Sequence, residues 1–354
     1  MNTQYEALAG QLGNYLADQW QQAISVEDIT RIPGGASRET YRVQLLRDGK
    51  NLPVILRLDP ASSIIDTERA LEYAAYKAVY GTSIPVPEAL FLEEDLDVVG
   101  RPFSVMEMIE GCEASPDALL MEPYVQHREK IAEQVWSILG RLAAMDADNP
   151  VLLARTPKPA PERCAGEQVE YWAKVIRDDA MQPQPVAEAS IRYLQNNLPP
   201  PPPKLAIVHG DYRTGNFLFN TAGEIKGVLD WEMCHIGDPL EDLAWSLDPL
   251  WSWPDRELAG KLVSRQQAIS YWQAASGMTV DLAVFKWWQV FASVKGLAIW
   301  ISSIDEFMHS DGHEPITALA GWVMSDRQNR ILVDQLRPNS PRLYSEDLTT
   351  QVQI

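Results

Sequence analysis

Three oxygen-bearing side chains, Asp211, Asn216 and Asp230, carry the strongest chemical signal in this sequence. They lie in Leu205-Ala-Ile-Val-His209-Gly-Asp211-Tyr-Arg-Thr-Gly-Asn216-Phe-Leu-Phe and in Val228-Leu-Asp230-Trp-Glu. A short apolar run delivers the chain into a loop holding His209, Asp211 and Asn216. A strand over 217–219, a turn at Asn220-Thr-Ala-Gly223 and a strand over 225–229 then lead to Asp230. If the two strands pair across that turn, Phe219 faces Ile225, and Asn216 and Asp230 reach the same end of the hairpin. Two carboxylates and a carboxamide, with no cysteine or histidine cluster beside them, are hard donors of the kind magnesium takes. They predict phosphoryl transfer, in which two residues hold the metal on a nucleotide while a third accepts the proton of an attacking hydroxyl. A lone His-Gly-Asp is a common turn. The conjunction in order, with its Asp-x-x-x-x-Asn spacing and a later aspartate, carries the prediction.

The next stretch, Gly237-Asp238-Pro239-Leu-Glu-Asp242-Leu-Ala-Trp245, reads as a helix start. Asp238 is the expected N-cap and Pro239 the first helical residue. Asp242, one turn later, is placed to brace the loop around His209 and Asp211 through backbone amides.

These residues need a scaffold. Residues 5–20 carry apolar positions at helical period, and 29–32 look extended up to Pro33-Gly34-Gly35. Runs 40–46 and 53–58 form a hairpin about Asp48-Gly49. A helix follows from an N-cap at Asp66 to Gly81, and a second hairpin over 89–94 and 103–109 turns near Gly100. Helical patterning then dominates from about residue 116, with Ile131, Val135, Ile138, Leu139 and Leu142 on one stripe. The proline-rich segment 150–205 ends in five prolines at 199–203, which read as a polyproline spacer. The expected fold class is α+β, with an N-terminal lobe over 1–109 (a small antiparallel sheet plus helix) and a mostly helical lobe over 110–354.

Composition narrows the classes. The 354 residues are 46% hydrophobic and 22% charged, ordinary globular usage. A net charge of -19 argues against nonspecific nucleic-acid binding and against docking on anionic membranes. The three cysteines, Cys112, Cys164 and Cys234, form no CxxC pair, which fits a reducing, cytoplasmic setting. The N-terminus lacks a signal-peptide pattern, and the greasiest run, 284–301, is interrupted by Lys286, Gln289 and Lys295, so it reads as a core helix. Seven of the twelve tryptophans fall between 245 and 300. Core packing accounts for them better than an aromatic box for a quaternary ammonium ligand.

His-Gly-Asp-x-x-x-x-Asn, Leu-Asp-Trp-Glu and Gly-Asp-Pro-x-x-Asp-Leu-Ala together resemble the aminoglycoside phosphotransferase and choline kinase-like family. These are small-molecule kinases with a two-lobed, protein kinase-like fold. Pro33-Gly-Gly-Ala-Ser-Arg-Glu-Thr-Tyr and Gly100-Arg-Pro-Phe-Ser-Val-Met-Glu-Met are similar to the branch fused to acyl-CoA dehydrogenases in some proteins; no such second module is expected within this sequence. The resemblance implies ATP and Mg2+ as cofactors, Asp211 as catalytic base, Asn216 and Asp230 as magnesium ligands, and His209, Asp238 and Asp242 as supporting residues. It also implies a phosphate cradle at Gly34, Gly35 and Ser37. Arg57 stands where the family often has a lysine on the phosphates, and its fork can bind phosphate in its place. Its helix partner is Glu68 or Glu72 by periodicity, and the family pattern favours Glu72. Adenine is expected to bond the Glu107 carbonyl and the Ile109 amide. The expected partner is a small-molecule hydroxyl acceptor, with aminoglycoside, choline-like, sugar and hydroxyacyl-CoA classes open, as is oligomeric state. A protein-substrate kinase is disfavoured because no Asp-Phe-Gly to Ala-Pro-Glu segment follows Asp230. A non-catalytic nucleotide-binding regulator is disfavoured by the intact Asp211, Asn216 and Asp230 set.

Overall fold

The computed structural model describes residues 5–32, 39–59, 67–253, 255–309 and 315–337. Gly34, Gly35 and Ser37, the Asp66 cap and the polar tail after Asn339 lie outside the described residues. The chain forms two compact units. The first comprises Met1–Cys112, Asn149–Arg155 and Lys226–Met233, and the second comprises Glu113–Asp148, Thr156–Ile225 and Cys234–Ile354.

The first unit opens with α1 (Glu6–Trp20), β1 (Ile24–Ile32), β2 (Glu39–Arg47) and β3 (Lys50–Leu58). It continues through α2 (Thr67–Val79), β4 (Ala89–Glu93), the single turn α3 (Leu96–Val99) and β5 (Phe103–Glu107). The strands form one antiparallel sheet in the order β1-β2-β3-β5-β4. Alternation decides its inner face: Tyr41, Val43 and Leu45 on β2 and Val54, Leu56 and Leu58 on β3 are buried, and their neighbours are not. Ala9, Leu12 and Leu16 of α1 join the same core. The β2–β3 turn takes positive φ at both Asp48 (49°) and Gly49 (76°), the backbone twist that closes a two-residue hairpin. The second hairpin differs from expectation. β4 and β5 pair antiparallel, but α3 is inserted between them, capped by the Asp95 side chain and ended by Gly100 at φ 79°. β5 also stops at Glu107, two residues short of the expected run.

The order then runs β6 (Cys112–Glu113), α4 (Arg128–Ala144), α5 (Pro150–Leu153), α6 (Cys164–Asp179) and α7 (Pro185–Asn196). After these come β7 (Ala206–Val208), β8 (Phe217–Asn220), β9 (Ile225–Val228), β10 (His235–Gly237) and α8 (Pro239–Ser246). Helices α9 (Arg265–Ser276), α10 (Leu282–His309) and α11 (Pro315–Leu336) finish the described chain.

The apolar stripe of α4 is buried in the second unit. Gly140 lets α4 approach α9 closely, because a Cβ there would come within 2.6 Å of the Trp272 carbonyl oxygen. Helices α6 and α7 are additions to the sequence reading, which saw 150–205 chiefly as proline-rich. The prolines sit in the connections and at the first turn of α7, while Val169, Trp172, Ala173 and Ile176 give α6 a buried face at helical period. Residues 199–203 adopt neither helix nor strand. In α10, Trp287, Trp288 and Phe291 are buried. Trp245 and Trp272 are buried as well, so these rings serve the core. Among the described residues no helix is long and apolar enough to cross a membrane.

Candidate active site

In the second unit β7 pairs antiparallel with β10, Ile207 opposite Ile236, and delivers the chain into the loop 209–216. The loop is held by its main chain. The Asp242 carboxylate accepts the N–H of His209 at 2.6 Å and that of Gly210 at 2.9 Å. Asp211 donates its own N–H to His209 Nδ1 at 3.1 Å, which makes that nitrogen the acceptor of a fully buried imidazole. Tyr212, also buried, anchors the loop to α4 by donating to the Val135 carbonyl at 2.6 Å.

Three side chains converge on the Asp211 carboxylate, which is 9% exposed. Trp245 Nε1 donates to Oδ1 at 2.8 Å, Asn216 Nδ2 to Oδ2 at 2.8 Å, and Arg213 Nε lies 3.0 and 3.2 Å from the two oxygens. Asn216 Nδ2 also donates to the Asp211 carbonyl at 2.8 Å. Both of these Asn216 bonds use the amide nitrogen and neither uses its Oδ1. The Arg213 guanidinium stacks 5.0 Å from the Trp251 ring centre.

Helix α8 supplies the supports. Asp238 caps it, accepting the Leu240 N–H at 2.8 Å, and Pro239 begins it. The other Asp238 oxygen accepts Trp288 Nε1 at 3.2 Å. Burial pushes the Asp238 carboxyl up to about 6. Burial, with Glu241 beside it, does the same to Asp242. Burial also works to raise Glu241, but His235 and Lys295 outweigh it and hold that carboxyl at about 2.

In the first unit Arg57, on β3, donates through Nη1 to Glu72 of α2. Glu72 is thus the residue on Arg57, a choice that helical periodicity left open. Arg57 Nη2 lies 3.9 Å from Asp230 Oδ1. Burial disfavours the guanidinium charge, yet Glu72, Tyr76 and Asp230 more than restore it. Asp230 has a left-handed backbone, φ 69°, and gives its N–H to the phenol oxygen of buried Tyr76 at 3.0 Å. Glu107 ends β5 and gives its N–H to the Glu88 carbonyl at 2.8 Å, with Ile109 two residues further on.

The structure therefore gathers Asp211 with Asn216 in one unit, and Arg57 with Glu72 and Asp230 in the other. Tyr76, Arg213, Glu241, Trp245 and Lys295 were not singled out as site residues from sequence. The signals that could have found them were modest: Tyr76 falls one turn after Glu72, and Lys295 sits among apolar residues on both sides in the greasiest helix.

Residues 28–278 match the phosphotransferase enzyme family, well over half of the 354-residue chain. The chain belongs to this family. Acyl-CoA dehydrogenase family member 10 of Mus musculus is 29% identical over 225 residues, which cover 62% of this chain and 20% of that protein. The chain thus spans about a fifth of that relative's length. The crystal structure of a candidate aminoglycoside phosphotransferase from Ralstonia eutropha superposes with a TM-score of 0.69 at 19% identity, covering 92% of this chain and 98% of that one. The structure of the GDP complex of aminoglycoside 2'-phosphotransferase-IIIa superposes with a TM-score of 0.62 at 14% identity, covering 93% and 99%. At such identities the likeness is one of fold, and the fold is the α+β, kinase-like fold of these phosphotransferases.

Proposed function

We propose that this phosphotransferase moves the γ-phosphoryl group of ATP to a hydroxyl group of a small molecule, with Asp211 as the base. The observation that carries the proposal is the Asp211 carboxylate, nearly buried yet fixed by Trp245, Asn216 and Arg213 on a loop whose main chain is itself held. Such a group can orient an acceptor hydroxyl and take its proton as the phosphoryl group arrives, an effect worth typically about 10²–10⁴ in rate. Arg57, kept charged by Glu72, offsets charge on the nucleotide phosphates. Glu107 and Ile109 are assigned to the adenine, and Gly34, Gly35 and Ser37 to the phosphates.

The donors fit magnesium. Asn216 Oδ1 and the Asp230 carboxylate, whose side chain is one-third exposed, are hard oxygens. Among the described residues no group of three or more His, Cys, Asp or Glu side chains is placed to hold a metal ion by itself. A cation that keeps waters and borrows phosphate oxygens suits that sparse set. We assign Asn216 and Asp230 as its ligands; when bound it neutralises charge on the phosphates.

The GDP complex of the aminoglycoside phosphotransferase supports nucleotide use, and kinship with that enzyme supports a small acceptor. The test is magnesium-dependent ADP release across a panel of aminoglycosides, choline-like alcohols, sugars and hydroxyacyl-CoA compounds. One class should stimulate release, and Asp211→Asn should lower that turnover by about 10²–10⁴ while ATP still binds. An Asp211→Asn protein that turns over at the wild-type rate overturns the assignment.

A further inference from the structure

Helix α10 carries one lysine into the interior of the second unit. Lys295 is 1% exposed, and Phe291, Val294, Leu297 and Ala298 around it in the helix are buried. An ammonium there costs several kcal/mol unless it is matched, so its contacts identify what it is for. Its Nζ donates to the carbonyl oxygen of Gly210 at 2.6 Å and to Glu241 Oε1 at 3.1 Å. It also faces the rings of Trp245 at 5.2 Å and Trp172 at 5.7 Å.

The Gly210 carbonyl belongs to the peptide plane that directly precedes Asp211. The N–H of that plane is the one bonded to His209 Nδ1, and Lys295 takes its other end. The plane before it is held through the Gly210 N–H by Asp242. Gly210 has φ 88°, a conformation open to glycine and closed to most other residues, and it has no Cβ to restrict its backbone, so the peptide depends on its hydrogen bonds for its orientation. An apolar residue at 295 would fill the space but leave a buried carbonyl without a partner.

We infer that Lys295 is a positioning residue, clamping the Gly210–Asp211 peptide from its carbonyl side while His209 Nδ1 holds its amide side and Asp242 holds the plane before it, so that the Asp211 carboxylate is presented in one orientation. The inference rests on the phosphotransfer reading of Asp211 for its kinetic consequence, and on the structure alone for its mechanical one. Glu241 keeps the ammonium company but touches neither plane.

Two variants separate the clamp from the ion pair. Lys295→Met removes both contacts, whereas Glu241→Gln breaks the ion pair and leaves the Gly210 contact in place. Amide exchange of the 205–216 segment, read by mass spectrometry, should quicken at least about tenfold in Lys295→Met and stay near wild type in Glu241→Gln. ADP release from magnesium-ATP, with the acceptor the panel identifies or with water, should fall about 10- to 100-fold in kcat in Lys295→Met, with KM for ATP within about twofold. Glu241→Gln should keep most of its turnover. If Lys295→Met does not fold, the Glu241→Gln/Lys295→Met protein, which removes both charges of this pair and keeps an acceptor for His235 Nε2, carries the same readouts. Equal losses in Lys295→Met and Glu241→Gln, or a Lys295→Met protein with wild-type exchange, overturn the clamp. A wild-type protein without phosphoryl transfer sinks the functional reading instead, and the exchange data still decide the clamp.

Discussion

The phenol oxygen of Tyr76 accepts the backbone N–H of Asp230 at 3.0 Å, where Asp230 sits at φ 69°. A non-glycine residue with positive φ is held against its intrinsic preference. Tyr76 lies one helical turn after Glu72, so one face of α2 contacts both Arg57 and the peptide of Asp230. That coupling makes α2 the element that contacts both Arg57 and Asp230 in the first unit.

Tyr76→Phe removes one oxygen and little volume. If the phenol holds Asp230 in its conformation, the magnesium concentration for half-maximal ATP binding should rise about fivefold to tenfold, the loss of one hydrogen bond. Titration calorimetry at several magnesium concentrations checks this. A variant whose melting temperature drops but whose magnesium dependence is unchanged would make Tyr76 a packing residue only.

Arg57 and Glu72 should not be equivalent in their effects. Arg57→Met takes the guanidinium from a buried carboxylate, with the Glu72 side chain only 4% exposed, and also removes the cation proposed to meet the nucleotide phosphates. It should weaken ATP binding about 100-fold and destabilise the protein by about 3 kcal/mol. Glu72→Gln keeps a hydrogen-bond acceptor for the guanidinium, so a smaller loss of about tenfold in ATP affinity is expected. Urea unfolding and ATP titration on the same samples separate the two contributions.

The buried carboxylates predict an uncommon pH dependence. Asp238 and Asp242 titrate near 6 in the folded protein, above the ordinary aspartate value, because burial penalises their charge. The native state therefore binds more protons than the unfolded chain between about pH 4 and 6, and stability falls as pH rises through that window. Glu241 has the opposite sign: held at about 2, it contributes stability that is present above about pH 4.5 and lost as pH drops towards 2. Unfolding free energies at pH 4.5, 5.5 and 6.5 should decline by about 1–3 kcal/mol in total. A rise across that range would show that these two aspartates are not protonated as burial requires.

Several parts of the architecture were legible along the chain because their causes are local. Alternation in β2 and β3, the Asp48-Gly49 turn, the stripe on α4, and the Asp238-Pro239 start of α8 each follow from residues within a few positions of one another. Helices α6 and α7 were masked because prolines crowd their boundaries, although Val169, Trp172 and Ile176 keep a helical period. The α3 turn between β4 and β5 was missed because Gly100 also suits a plain hairpin.

At the site the division follows contact distance in sequence. Residue types and spacing alone marked Asp211, Asn216 and Asp230 for chemistry on phosphate, and Asp238 for the start of a helix, since a loop's ligands and a cap are written within one short segment. The tertiary structure bore out Glu72, which helical periodicity could not separate from Glu68, as the partner of Arg57, and it alone decided that Trp245 and Arg213 share the Asp211 carboxylate and that a lysine 85 positions away grips Gly210. Those pairings are chosen by which buried charges and peptide groups find partners once the helices pack, and no local preference of the chain encodes that choice.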